Sequence, residues 1–226
     1  MKTYAISDLH GHTPEPPADA DFLIIAGDIC PDFRDKGDFR GGYVKQAAWL
    51  DTTFRSWLGF HGLPTIAIWG NHDFVGEFPS LVPDLPWVLL QDSEAAVKGL
   101  GRVWGTPWVP GLPYWAFYGR PKQLKARADA IPSDVDVLVT HGPPFYFGDY
   151  IPTSEKQRTK YGNYGGEHVG DRTLNEAIRE VKPEVTICGH IHESRGRHRM
   201  DGQFRIENCA AVDAYYKLVE NPWVLI

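Results

Sequence analysis

Five short apolar runs, each stopped abruptly by a polar cluster, dictate the kind of sheet this sequence can build. Tyr4–Ser7, Phe22–Ala26, Thr65–Trp69, Val135–Thr140 and Val185–Cys188 are short, mostly apolar and several are rich in β-branched residues, and they read as buried strands. They stop on Asp8-Leu9-His10, Gly27-Asp28, Gly70-Asn71-His72-Asp73, His141-Gly142 and Gly189-His190-Ile191-His192. Nothing about stable folding requires Gly-Asn-His-Asp at the end of an apolar run. In an open α/β sheet, ligands sit outside the carboxyl ends of the strands, so the five runs aim their polar groups from one edge.

Between these runs, Tyr43–Leu58 carries Val44, Ala47, Ala48, Trp49, Phe54, Trp57 and Leu58 at helical spacing, and Thr173–Val181 repeats the pattern more briefly. Gly59 and Pro183 are the expected stops. Further strands are expected at Trp87–Gln91, Ala95–Lys98, Arg102–Trp104, Phe204–Asn208 and Trp223–Ile226. Their close succession points to antiparallel pairs and hence to mixed sheets in an α/β protein. Asp32–Gly42 and Thr153–Asp171 lack a period and read as loops overhanging the site. With 226 residues and 42% hydrophobic content, residues 1–226 are expected to form one domain.

The formal charge of -6 gives no general attraction to long nucleic acid or to an anionic membrane, and neither is expected as a partner. Cys30, Cys188 and Cys209 show neither zinc spacing nor a disulfide framework, which favours a reducing compartment. The first strand follows Met1 so closely that no leader is expected, and no apolar run is long enough to cross a bilayer. A cytoplasmic location is the expectation.

The chemistry lies in the pooled strand ends. Asp8, His10, Asp28, Asn71, His141, His190 and His192 offer carboxylate, imidazole and amide oxygen, a mixture suited to manganese, iron or zinc. One ion needs about four protein ligands or fewer if water keeps a place, so seven can serve two ions when one carboxylate bridges. Two carboxylates offset half the charge of two divalent ions. The residual positive charge suits an anionic substrate and a bridging hydroxide. Singly, Asp8 or Asp28 reads more simply as a turn or capping residue; five such ends in order change that reading.

The set Asp8-x-His10, Gly27-Asp28, Gly70-Asn71-His72-Asp73, His141 and Gly189-His190-x-His192 resembles the calcineurin-like metallophosphoesterases, in order and across nearly the whole chain. Gly105-Thr106-Pro107-Trp108, Thr140-His141-Gly142-Pro143-Pro144 and Cys188-Gly189-His190-Ile191-His192-Glu193 further resemble a small fetal-brain-protein-like phosphodiesterase subgroup. The resemblance implies a four-layer αββα sandwich of two mixed β-sheets and two divalent ions, manganese foremost with iron, zinc or nickel as alternatives. Asp8, His10 and His192 would hold one ion, Asn71, His141 and His190 the other, and Asp28 would bridge them. His72 and Asp73 fall in the catalytic set: His72 beside the substrate as acid or charge stabiliser, Asp73 orienting its neighbours. The implied reaction is hydrolysis of a small phosphate ester by a metal-bridging hydroxide.

A small phosphodiester, such as a cyclic nucleotide, is the favoured substrate. A phosphomonoester on the same site and a non-catalytic protein-binding scaffold remain as alternatives, although the ligand motifs are complete. Arg195 and Arg197 follow the last ligand pair and are candidates to bind substrate phosphate, against the plainer reading of a solvated charge run. His12 reads as a loop residue, and His61 and His168 as surface groups. Trp104, Trp108, Tyr114, Trp115, Phe117 and Tyr118 read as packing residues rather than as a stacking surface. Sequence says nothing about oligomeric state.

Overall fold

Alternate residues of the core strands face two different apolar layers, and this alternation generates the architecture. In the second strand Leu23 and Ile25 face one layer while Phe22, Ile24 and Ala26 face another. A strand can be apolar on both sides only where both faces of its sheet are covered. The computed structural model describes residues 1–33, 42–152 and 166–226. Its first sheet is ordered β13 (Val224–Leu225), β1 (Thr3–Ile6), β2 (Phe22–Ala26), β3 (Thr65–Ile68), β4 (Val88–Leu89), parallel except for β13.

The second sheet is ordered β11 (Gly196–Met200), β12 (Phe204–Asn208), β10 (Val185–Cys188), β7 (Val137–Thr140), β6 (Gly101–Thr106), β5 (Ser93–Val97). Its edge strands β11 and β5 are antiparallel to their neighbours and its centre is parallel. Both sheets are thus mixed. A middle layer lies between them, with Ala5, Ile24, Ile66 and Ile68 from the first sheet against Val103, Val137, Val139, Val185 and Ile187 from the second.

Helices cover the two outer faces. Ile6, Leu23, Ile25, Ala67 and Trp69 meet a cluster formed by Ala47 and Trp49 of α1 (Tyr43–Trp49), Leu50 and Phe54 of the π-helical turn Leu50–Phe54, and Trp57 and Leu58 of α2 (Arg55–His61). Trp104, Leu138, Cys188 and Ile206 meet α3 (Pro121–Asp129) and α4 (Arg172–Val181) through Ala128, Leu174, Ala177, Ile178 and Val181. The expected four-layer αββα sandwich is therefore the observed one. No helix of the described residues is long and apolar enough to cross a membrane.

Local signals explain most boundaries. Asp171 accepts a hydrogen bond from Thr173 N at 2.8 Å and opens α4, and Lys182 in the left-handed region, followed by Pro183, closes it. The first helical stretch runs past Gly59 to Gly62, whose φ of 61° ends it. A Cβ at Gly59 would meet nothing, so that glycine is simply an exposed helical residue. Helix α3 escaped the periodicity because only Leu124 and Ala128 are buried along it. Strand β11 escaped because four of its five residues, among them the charged Arg197 and Arg199, stay out of the core.

Of the two expected loops, residues 34–41 and 153–165 lie outside the described residues. The rest of the second contains β9 (Glu167–His168), paired with β8 (Tyr150–Ile151). Phe54 is fully buried and stacks between Trp49 and Trp57 at centroid distances of 5.5 and 5.4 Å. The cavity left by Phe54→Ala is expected to lower unfolding stability by about 3–5 kcal/mol. A urea titration followed by tryptophan fluorescence measures it.

Candidate metal centre

The site begins where the strands stop being strands. The β1–β2 ladder continues past both ends, Asp8 N donating to Gly27 O and His10 N to Asp28 O, each at 2.9 Å. Asp8, His10, Asp28 and His190 nevertheless have φ of 55°, 43°, 52° and 68°. The left-handed region costs a side-chain-bearing residue about 1–3 kcal/mol, and such strain persists where surrounding structure enforces it. Here it turns four candidate ligands off the sheet and toward one point. Two glycines make the convergence possible: a Cβ on Gly70 would overlap the Asp28 carboxylate, and one on Gly189 would overlap Ser7 Oγ and the Asp8 carboxylate.

Three groups of ligand atoms result, each mutually within 4.8 Å: Asp8, His10 and His192; Asp28, His141 and His190; and His10, Asp28 and His72. Asp8 Oδ1 lies 3.3 Å from His192 Nε2, and Asp28 Oδ2 lies 3.2 Å from His141 Nε2 and 3.8 Å from His10 Nε2. Asn71 Oδ1 is 3.0 Å from His141 Nε2. All seven side chains expected as ligands are thus gathered at the strand ends, and Asp28 stands in two of the three groups.

The residues fit divalent ions. Both ring nitrogens of His10 are buried without a hydrogen-bond partner, a costly state for imidazole that a metal bond would relieve. Burial pushes His10 down to about 4 and His190 down to about 3, so both are neutral at pH 7, the form that ligates metal. Burial alone would raise Asp8, but the hydrogen bond and charge of His192 hold it at about 2. Burial opposes a charged His141, yet the Asp28 carboxylate beside it raises it to about 9. A site that draws a proton onto a buried imidazole so strongly is one that favours a cation.

Backbone carbonyls set the tautomers. His141 Nδ1 lies 2.9 Å from Ala26 O and His192 Nδ1 lies 3.2 Å from Asp213 O. A carbonyl only accepts, so each Nδ1 carries hydrogen and each Nε2 faces the carboxylates. His72 follows the same logic with Asp32, whose Oδ1 is 2.7 Å from its Nδ1. Its backbone is fixed too: His72 N donates to Asp28 Oδ1 at 2.7 Å, and the buried Gln46 donates to His72 O at 2.7 Å. Burial opposes charging His72, but Asp28 and Asp32 together raise it above the ordinary histidine value.

Asp73 belongs to none of the three ligand groups. Its carboxylate accepts from Ile29 N, Cys30 N and Gly70 N at 3.1, 2.8 and 2.8 Å, tying the β2 and β3 ends together, and burial followed by Asp28 lifts it to about 6. Of the two candidates for substrate phosphate, Arg195 donates to Ala210 O, Asn221 O and Pro222 O, and Arg197 pairs with the buried Glu207 at 2.5 Å. Neither lines the cleft. His168 pairs with buried Asp149 at 2.6 Å rather than standing free at the surface.

The cleft over the cluster has a volume of about 430 Å³. Trp115 walls it beside His72 at a centroid distance of 4.2 Å, and Tyr216 walls it beside His10 and His192 at 4.6 and 5.3 Å. Sequence reading passed over Asp32, Asp213, Gln46 and Tyr216 and placed Trp115 in packing. Asp32 follows Gly27-Asp28-Ile29-Cys30-Pro31 and was the one with a usable signal, a carboxylate just beyond a proline turn.

The sequence profile of the calcineurin-like phosphoesterases matches residues 1–194. The chain belongs to that family. It is 32% identical to metallophosphoesterase domain-containing protein 1 of Homo sapiens, and equally to that of Mus musculus, over 97% of this chain and 69% of the relative. Among solved structures it resembles the phosphopantetheinyl hydrolase of Mycobacterium tuberculosis with a TM-score of 0.58 at 14% identity, covering 100% of this chain and 95% of that one. TT1561 of Thermus thermophilus aligns with a TM-score of 0.54 at 14% identity, covering 92% and 88%. These two likenesses speak for the fold alone. Family membership supports hydrolysis of phosphoesters with divalent metal ions.

Gly189→Ala should disrupt the centre without unfolding the sandwich, since its methyl displaces the Asp8 carboxylate. Metal analysis after manganese loading is expected to show at least one equivalent lost relative to the unaltered chain, with circular dichroism unchanged.

Proposed function

We propose that this chain is a two-ion phosphodiesterase acting on small diesters, cyclic nucleotides among them, with manganese as the preferred metal. The observation that carries the reading is the cleft itself. Leu112, Trp115, Ile151, Val169 and Tyr216 wall it around the Asp28, Asn71, His72, His190 and His192 floor, and Glu167 and Glu193 also stand in its lining. Two carboxylates in the lining repel a terminal phosphate dianion more strongly than a monoanion. A diester carries one negative charge and two organic substituents, which suits apolar walls.

In this reading Asp8, His10 and His192 would hold one ion and Asn71, His141 and His190 the other, with Asp28 available to both. When bound, two such ions supply a water of lowered pKa and draw off charge from the phosphoryl oxygens. The protein's own groups do the rest. Asp32 accepts a hydrogen bond from the Nδ1–H of His72, its charge and that of Asp28 favour the protonated ring, and the proton on Nε2 is the one free for transfer. His72 then delivers that proton to the departing ester oxygen. Trp115 packs on the His72 ring and keeps bulk water from it. Asp73 and Gln46 are positioning residues that fix the loop bearing Asn71 and His72.

His72→Ala should leave metal content close to that of the parent and lower kcat by roughly 10²-fold; parent-like turnover would remove His72 from the reaction. Substrate class is tested with manganese-loaded protein on bis(p-nitrophenyl) phosphate and p-nitrophenyl phosphate. Higher kcat/KM for the diester is expected, and a preference for the mono-ester would replace this reading with a phosphatase.

A further inference from the structure

The diester reading leaves open what receives the substituent that stays on phosphorus. We infer that Tyr216 is the specificity wall for that retained substituent, selecting planar or aromatic groups over small alkyl ones. The inference rests on the diester reading and deepens it.

The loop carrying Tyr216 is built for presentation. Asp213 Oδ1 accepts from Tyr215 N and Lys217 N at 2.8 and 3.0 Å, and Asp213 N donates to Lys217 O at 2.9 Å, closing a tight turn. Asp213 O also receives the Nδ1 hydrogen of His192, so the turn is locked to the ligand cluster. Tyr216 sits in the left-handed region at φ 62°, unfavourable for an aromatic residue and retained here by the closed turn. The strain does not serve core packing, because the residue is 42% exposed and lines the cleft. Its ring stands nearly perpendicular to His10 and His192, at 70° and 83°.

Trp115 lies against His72 at 4.2 Å, backed by Phe74 at 5.9 Å, whereas Tyr216 stands nearer to His10 and His192, at 4.6 and 5.3 Å, than to His72, at 6.1 Å. In an acyclic diester the two ester oxygens of the tetrahedral phosphorus carry separate substituents that diverge. With the departing oxygen at His72, its substituent lies along Trp115, and the second substituent is directed toward the His10 and His192 side, where Tyr216 stands. An aromatic ring there offers stacking that a methyl group cannot exploit.

The test uses the full manganese-loaded chain with bis(p-nitrophenyl) phosphate and methyl p-nitrophenyl phosphate, which share a leaving group and differ only in the retained one. Tyr216→Ala should lower the bis-to-methyl ratio of kcat/KM by about 3- to 10-fold, mainly through KM, with metal content unchanged. Tyr216→Phe, which keeps the ring, should restore the ratio; Tyr216→Leu carries the same comparison as alanine should the smaller side chain fail to fold. Equal losses on both diesters, or loss of metal, would make Tyr216 a mere prop for His10 and overturn the inference alone. Parent protein that hydrolyses p-nitrophenyl phosphate but neither diester would overturn the diester reading and this inference with it.

Discussion

The buried carboxylate of Asp28 is the constraint around which the molecule is arranged. It is 1% exposed, receives His72 N, and stands within 3.8 Å of both His10 and His141. An uncompensated charge so deep would cost several kcal/mol, so the chain must bring positive charge or hydrogen-bond donors to it. Asp8, fully buried nearby, doubles the demand. Asp73 shows the limit of what the protein alone can do: with three backbone donors it is still driven up to about 6, by burial first and by Asp28 next. Cations are the compensation this geometry is shaped for.

The sandwich is what lets two sheets feed that point. Asp8, Asp28 and Asn71 follow β1, β2 and β3, whereas His141 and His190 follow β7 and β10 of the other sheet. The middle apolar layer joins the sheets face to face, and Gly189 N donating to His141 O at 2.9 Å carries the second ladder into the site. Both sets of strand ends therefore meet over the same seam. Losing the middle layer would split each group, Asp8 and His10 from His192 and Asp28 from His141 and His190, before it disturbed either sheet's internal hydrogen bonding.

Much of this was legible in the sequence because a buried strand and its functional terminus leave opposite marks side by side. Phe22–Ala26 and Val185–Cys188 were bounded to the residue for that reason. Features carried by the backbone were not legible. Any residue supplies a carbonyl, so the roles of Ala26 and Asp213 in fixing His141 and His192 leave no mark in side-chain pattern. Helix α3 presents too few apolar residues to show a period. The sequence leaves two readings of Arg195 and Arg197 open because a guanidinium suits phosphate and carbonyl alike, and only packing shows that Arg195 ties the chain near Asn221 and Pro222 to Ala210.

The distribution of strain points the same way as the distribution of charge. Among the described residues, ten other than glycine have positive φ, and Asp8, His10, Asp28, His190 and Tyr216 are half of them. At about 1–3 kcal/mol each, these five together rival the net stability of a typical domain. They persist because the ladder bonds from Asp8 and His10 and the closed Asp213 turn leave the backbone no relaxed alternative that keeps those bonds. Relaxing any one toward an ordinary strand conformation would recover local energy and rotate a polar group off the cluster. The rigidity of the four layers is thus spent on holding four ligands and one aromatic wall where an unconstrained chain would not leave them.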